Sequence, residues 1–258
     1  MRGLILAAGK GSRLNGTAGD APKCLVTLGG VSLVERQIRV LRAAGIDDIT
    51  IVVGCQADRV RRACGHGVTY IENTRYAQTN SLYSLWLARP LLYEEFVVLN
   101  CDVLFHPALL TDLLRSRHEN ALLLGYREAS QPPYGEEEMK VMVRGGRVVD
   151  MSKEMDPAEA DGENLGIVKF GARGAVALVD IMDRLVGAGR LRDWAPRAFA
   201  EFAREHALYA VGTRGLPWIE IDFPEDYRRA GDEILPAIER TSSHETTCLP
   251  VVASPGVS

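Results

Sequence analysis

Histidine, paired cysteines and basic charge are all scarce in this chain, and each scarcity argues against a chemistry. The five histidines (His66, His106, His118, His206 and His244) are dispersed, and no general base stands out among them. Cys24, Cys55, Cys64, Cys101 and Cys248 are odd in number and show no C-x-x-C spacing, so neither a zinc site nor a disulfide framework is indicated. Several lie in apolar segments and read as small core residues in a reducing cytoplasm. No G-x-S-x-G elbow occurs, which argues against covalent catalysis by serine. A formal net charge of −4 lacks the concentrated basic face that a nucleic-acid partner requires. No apolar run is long enough to span a bilayer, and the first residues enter a strand pattern with no signal peptide. The expectation is a cytoplasmic protein with no membrane partner.

What is present is the pattern of an α/β protein. At 258 residues and 47% hydrophobic, the chain can bury a substantial core. Strand patterns at 2–7, 49–53, 68–71, 95–99 and 121–126 alternate with helical ones. The clearest helix has Leu33, Val34, Gln37, Ile38, Leu41 and Ala44 on one face, with Ser32 as N-cap and Gly45 as its stop. Another runs over 80–88 and ends before Pro90. This alternation implies βαβ units and a Rossmann-like mixed, mostly parallel sheet flanked by helices. Beyond residue 126 the character changes. Gln131-Pro132-Pro133-Tyr134-Gly135 is a loop, and 139–143 and 147–151 flank Arg144-Gly145-Gly146 as a small β-hairpin insertion. A strand at 166–170, helices at 172–185 and 193–204, and strands at 207–211 and 218–221 follow. Pro224 stands just inside a closing helix over 224–239. Residues 1–240 read as one domain with halves 1–126 and 127–240, and 241–258 as a disordered tail.

The first strand opens into Ala7-Ala8-Gly9-Lys10-Gly11-Ser12-Arg13-Leu14, with Pro22-Lys23 a few residues on. A small-residue loop of this kind brings backbone N–H groups close to an anion. Gly9 and Gly11 lack the Cβ atoms that would hold a phosphate away, and Arg13 and Lys23 add positive charge. The loop is not a dinucleotide fingerprint. The third glycine would fall at Leu14, and Val52-Val53-Gly54 offers no acidic ribose ligand. It is not a Walker loop either, since no Gly-Lys-Ser/Thr closes it. It reads as a nucleoside-triphosphate loop of another design.

Phe96-Val97-Val98-Leu99 reads as a buried strand with Asn100-Cys101-Asp102 at its carboxyl end, where open α/β sheets bind ligands. A carboxylate there suits a Mg²⁺ that bridges triphosphate oxygens. The plainer alternative is a cap for the helix starting near Pro107. Over 218–222, strand alternation puts Trp218, Glu220 and Asp222 on one face and the isoleucines on the other. Asp222 also stands where it could cap the closing helix. Asn80 and Ser81 open a helix whose Leu82, Leu85 and Ala88 form a core face. They are natural caps, with donors and acceptors that can also read a base edge.

The run from Leu6 to Leu14 with Pro22-Lys23 resembles the nucleotidyltransferase (nucleotide pyrophosphorylase) family, whose signature is a strand, L-A-A-G-x-G-x-R-L, then P-K. Asn73, Tyr76, Asn80-Ser81 and Tyr83-Ser84-Leu85 are similar to its cytidylyltransferase branch, of the CTP:phosphocholine and 2-aminoethylphosphonate types. That resemblance implies nucleotide binding by Leu6, Ala7, Ala8, Gly9, Gly11, Ser12, Asn80 and Ser81. It implies neutralisation of the triphosphate by Arg13 and Lys23, and Mg²⁺ held by Asp102 and Asp222. The activity implied is transfer of CMP from CTP to a small phosphorylated or phosphonylated metabolite, releasing pyrophosphate. On the acceptor side, Lys140 and Lys153 are expected to meet the phosphate. Tyr134, Trp194 and Trp218 are candidates to hold an ammonium, with Glu163 or Glu220 as charge partner, and Tyr83 is a further acceptor-side candidate. The rivals are a sugar-1-phosphate nucleotidyltransferase using UTP, GTP or dTTP, and a non-catalytic nucleotide-binding regulatory module. A mere binder has no need of two carboxylates beside a triphosphate. The sequence leaves the oligomeric state open, a homo-oligomer included.

Overall fold

The computed structural model describes residues 1–11, 14, 21–126 and 134–247, with side chains through residue 241. The chain runs through β1 (Arg2–Ala7), the short β2 (Thr27–Leu28) and β3 (Val31–Ser32), α1 (Leu33–Ala43) and β4 (Ile49–Val53). Next come α2 (Ala57–Cys64), β5 (Thr69–Glu72), α3 (Ser81–Leu87), β6 (Phe96–Asn100), β7 (Val103–Phe105), α4 (Pro107–Arg115) and β8 (Ala121–Tyr126). The second half holds β9 (Lys140–Arg144), β10 (Arg147–Ser152), β11 (Gly162–Phe170), α5 (Ala172–Gly187), α6 (Ala195–Glu205) and β12 (Tyr209–Gly212). It ends with β13 (Trp218–Glu220), α7 (Pro224–Arg229) and α8 (Leu235–Thr247). Among the described residues, no helix is long and apolar enough to cross a membrane.

Alternation in β1 shows how the sheet is buried. Leu4 and Leu6 face a cluster built with α3, α5 and α6, while Ile5 and Ala7 face one built with α1, α2 and α4. Both faces are therefore covered, which a parallel sheet requires. Nine strands of the described residues form one sheet in the order β5-β4-β1-β6-β11-β8-β12-β10-β9. The first four are parallel. β11 enters antiparallel between β6 and β8, and β12 is parallel to β8. The sheet is mixed, as expected, with its parallel part concentrated in the first half. β11 follows a loop rather than a helix, so nothing forces it into a parallel crossover.

Local signals match their elements. The Ser32 hydroxyl accepts from the Glu35 amide while the Glu35 carboxylate accepts from the Ser32 amide, a reciprocal cap for α1. β9 and β10 form the expected hairpin, and Gly145 and Gly146 take the positive φ values, +58° and +80°, that a tight two-residue turn needs. The closing helix differs from expectation. It has a π-helical turn over Ala230–Ile234 and continues to Thr247, while 248–258 lie outside the described residues. Ala230 and Leu235 are both buried in one cluster, and a five-residue turn puts them on the same side where an α-helix would not.

A two-stranded ribbon, β7 against β13, matters most for the site. Glu220 pairs with Val103, Ile219 with Leu104 and Trp218 with Phe105. The Ile221 amide then donates to the Asp102 carbonyl at 3.0 Å. Ile219 and Ile221 are buried, so the other face of β13 carries Glu220 and Asp222 outward beside Asp102.

The β1 loop is held from the side by Gly54 and Cys55. The Cys55 amide donates to the Ala8 carbonyl at 3.1 Å. A Cβ on Gly54 would lie 2.7 Å from that carbonyl oxygen and 2.8 Å from Tyr76 Cβ. Gly54→Ala is therefore expected to lower stability by about 1–3 kcal/mol through overpacking, read as a lower urea midpoint with an unchanged m-value.

Candidate active site

The carboxyl ends of β1 and β6 open on a cleft of about 300 Å³. Lys23 reaches it from a 3₁₀ turn that follows Pro22. Its ammonium donates to Asp102 Oδ2 at 2.8 Å and to Asp222 Oδ1. Burial alone would lower the Lys23 pKa, but the two carboxylates more than reverse that and raise it above its ordinary value. Gly11, at φ +65°, lets the β1 loop pass close by, since a Cβ there would sit 2.9 Å from Lys23 Cβ.

Asp102, Glu220 and Asp222 each offer an oxygen within 4.8 Å of the others. Burial, then the charges of Asp102 and Asp222, push the Glu220 carboxyl well above its usual range. Asp102 Oδ1 is buried with no hydrogen-bond partner. Three acids facing one lysine leave excess negative charge and an unused oxygen, a set that fits a hard divalent cation taking oxygen ligands.

The plainer roles for the aspartates go to other residues. The helix after Asp102 is capped by His106, whose Nδ1 accepts from the Ala108 amide at 3.2 Å. At α7 the Asp226 carboxylate accepts from the amides of Asp222 and Phe223. Asn80 caps α3 through Oδ1, and Ser81 Oγ accepts from the Ala195 amide at 2.8 Å, yet both line the cleft. Buried Asn73 organises the loop before them, donating to Thr79 and Ser84 at 3.0 Å each.

Leu6, Ala8, Gly9, Gly11 and Lys23 line the cleft as expected. Ala7 does not, because strand alternation turns it into the core under α1. Ser12 and Arg13 lie outside the described residues. At the far end, Lys153 and Trp194 line the wall, with Lys153 paired to Glu137 at 3.0 Å and its ammonium 5.0 Å from the Trp194 ring centroid. Four of the acceptor candidates are elsewhere. Lys140 is buried, and its ammonium is occupied by the carbonyls of Gly135 and Glu138. Tyr83 stacks on Trp86 with Arg75 over its other neighbourhood, away from the cleft wall. Trp218 packs into the core beside Gly125. Glu163 is half-buried and is not among the residues that line the cleft. Sequence reasoning missed Glu220 as a member of the acidic cluster, although its alternation with Asp222 was the available signal. It also missed Glu137, whose neighbours depend on a loop path, and named Asn73 in the family motif without giving it a role.

A small-residue loop with Gly9 and Gly11 set beside an acidic cluster, on the carboxyl edge of a mixed sheet, is an arrangement that suits a nucleoside-triphosphate transferase. Residues 3–158 match the MobA-like NTP transferase domain, and the chain belongs to that family. It is 31% identical over 235 residues to the bifunctional IPC transferase and DIPP synthase of Rubrobacter xylanophilus, covering 90% of this chain and 51% of that protein. The chain thus spans about half of that relative. It is 29% identical over 248 residues to the choline-phosphate cytidylyltransferase of Streptococcus pneumoniae, covering 91% and 98%. A solved CTP:phosphocholine cytidylyltransferase from Streptococcus pneumoniae superposes with a TM-score of 0.73 at 27% identity, covering 90% and 97%. The expected nucleotidyltransferase family, its cytidylyltransferase-like branch and the mixed α/β fold are borne out.

Burial, then the charges of Glu138 and Asp222, raise the Glu163 pKa to about 7. Between its ordinary value of 4.5 and 7, the native protein keeps a proton that the unfolded chain releases, so stability falls as pH rises through that window. Glu163→Gln, measured by urea unfolding in EDTA, should match the parent at pH 4.5. Above pH 7 it should be more stable by on the order of 2 kcal/mol.

Proposed function

We propose that this chain is a Mg²⁺-dependent cytidylyltransferase that moves CMP from CTP to a small metabolite bearing a phosphate or phosphonate, releasing pyrophosphate. Lys23 carries this reading: one ammonium shared by two carboxylates, in the same cleft as Asn80 and Ser81. Mg²⁺ on Asp102, Glu220 and Asp222 would supply positive charge to the triphosphate oxygens. Lys23 neutralises phosphate charge from a buried position, where its effect is large. The β1 loop offers backbone N–H groups, while Asn80 and Ser81 face the base. An acceptor phosphate or phosphonate oxygen is already ionised, so no side chain must take its proton. The new bond joins that oxygen to the α-phosphorus, and the bond to the pyrophosphate oxygen breaks in line.

At the other end, Lys153 is the cation available to the acceptor's phosphate. Glu137 is the acid at this end of the cleft for an amino or quaternary ammonium group, beside the half-exposed ring of Trp194. The pneumococcal relative's name supports an acceptor of the phosphocholine type, and 2-aminoethylphosphonate has the same charges in a similar length.

Lys23→Ala should lose far more turnover than Lys10→Ala, because Lys23 is buried against two aspartates while Lys10 is exposed on the loop. Asp102→Ala and Asp222→Ala should each cut turnover by orders of magnitude, and EDTA should abolish it. Full activity in either purified variant removes that residue from the metal site.

Base choice tests the cytidylyl assignment. Cytosine offers a 4-amino donor and an N3 acceptor, and uracil reverses both, so a site satisfied by one leaves polar groups unpaired with the other. Such mismatches cost about 1–3 kcal/mol per group, enough for a preference of roughly tenfold or more. CTP should therefore exceed UTP, ATP, GTP and dTTP in kcat/KM, with phosphocholine, 2-aminoethylphosphonate and sugar phosphates compared as acceptors by pyrophosphate release. A preference for UTP, GTP or dTTP with a sugar phosphate would transfer the assignment to the sugar-nucleotide class.

A further inference from the structure

Gln37 is the polar member of an otherwise apolar stripe on α1. Leu33, Val34, Ile38 and Leu41 belong to the core, and Gln37 among them is only 1% exposed. Its Nε2 donates to the Asn100 carbonyl at 2.8 Å and to the Val103 carbonyl at 3.1 Å. Those two carbonyls bracket the Cys101-Asp102 turn between β6 and β7. The amide orientation follows from chemistry, because a flipped group would set Oε1 against two carbonyl oxygens. Oε1 itself has no hydrogen-bond partner. The polar end of Gln37 is thus committed to this one turn.

Asp102 is held from three directions. Lys23 binds its carboxylate, the Ile221 amide binds its carbonyl, and Gln37 ties down the residues on either side. Lys23 and the Ile221 amide lie on the side of the acidic cluster. Gln37 approaches from the helix layer and is not itself among the residues that line the cleft. A buried amide with one unsatisfied atom is a poor way to fill a core position, where leucine or methionine would pack without an orphan. It is a suitable way to satisfy two diverging carbonyls and to fix the plane of the turn between them.

We propose that Gln37 is a positioning residue that sets the Asp102 carboxylate in the orientation the acidic cluster needs to bind a divalent cation. The inference rests on the metal role given to Asp102 above, and extends it to a side chain that touches neither metal nor substrate. Gln37→Met keeps length and bulk but cannot donate. Gln37→Glu keeps the shape but sets a carboxylate against the two carbonyls. Ile38→Ala, at the next buried position of α1, serves as a control for general loosening of the helix.

Two measurements on the nucleotide-free protein test this. Mn²⁺ binding followed by electron paramagnetic resonance should weaken by about tenfold or more in both Gln37 variants, the range typical when an outer partner of a metal ligand is removed. Amide hydrogen exchange at Ile221, whose acceptor is the Asp102 carbonyl, should speed up in the same variants. With CTP, kcat should fall more than the KM for CTP rises. Ile38→Ala should lose thermal stability while keeping parental Mn²⁺ affinity and Ile221 exchange. Unchanged Mn²⁺ affinity and Ile221 exchange in the Gln37 variants, or equal losses in Ile38→Ala, overturn the proposal. A parent protein that binds no Mn²⁺ defeats the metal reading instead, and Ile221 exchange then decides the positioning role by itself.

Discussion

The site depends on one ammonium group shared by two carboxylates. Lys23 binds Asp102, 79 residues along the chain, and Asp222, 199 residues along. In a partly dry cleft, such a group is costly to leave without partners. Removing one member of a buried ion pair costs about 3–5 kcal/mol because the remaining charges are stranded. The arrangement is nevertheless not balanced: Glu220 adds a third carboxylate, and Asp102 Oδ1 has no protein donor. A fold selected only for stability would discard that surplus of negative charge. That surplus suits the divalent cation proposed for the cluster.

That electrostatic cluster is made possible by a short ribbon. β7 and β13 are three residues each, yet their pairing fixes which side chains of the last strand face the cleft. Because side chains alternate along a strand, a one-residue slip would bury Glu220 and Asp222 and turn the isoleucines outward. Ile219 and Ile221 in the third core cluster prevent that slip. Apolar packing on one face therefore enforces charge placement on the other.

Patterns carried within a few residues were legible in the sequence. Ser32 as N-cap, the Arg144-Gly145-Gly146 turn and the apolar period of α1 each report local geometry and were read correctly. Asp102 and Asp222 were legible as strand-end acids. Glu220 was seen on the right face but assigned to the acceptor, because its distance from Asp102 depends on a pairing between remote strands. Lys140 was read as a phosphate ligand because an isolated lysine looks solvent-bound. Its burial depends on the 135–138 backbone curling back to supply carbonyls. The antiparallel entry of β11 was also hidden, since strand direction follows from the connection rather than from the strand's own residues. Asn80 and Ser81 show that local hydrogen bonding and a place on the cleft wall need not compete: one oxygen of each is engaged within the fold, yet both residues line the cleft.

The ribbon also orders events in time. β1, β6 and the phosphate loop come from the first hundred residues, which can pair and pack as parallel βαβ units as soon as they leave the ribosome. The acidic cluster cannot exist then, because two of its three carboxylates lie on or just after β13, near the far end of the fold. A growing chain would hold the β1 strand and its neighbours with Lys23 and Asp102 paired only to each other. Catalytic competence would thus appear abruptly, once the last strand docks against β7, and long after most of the sheet has formed.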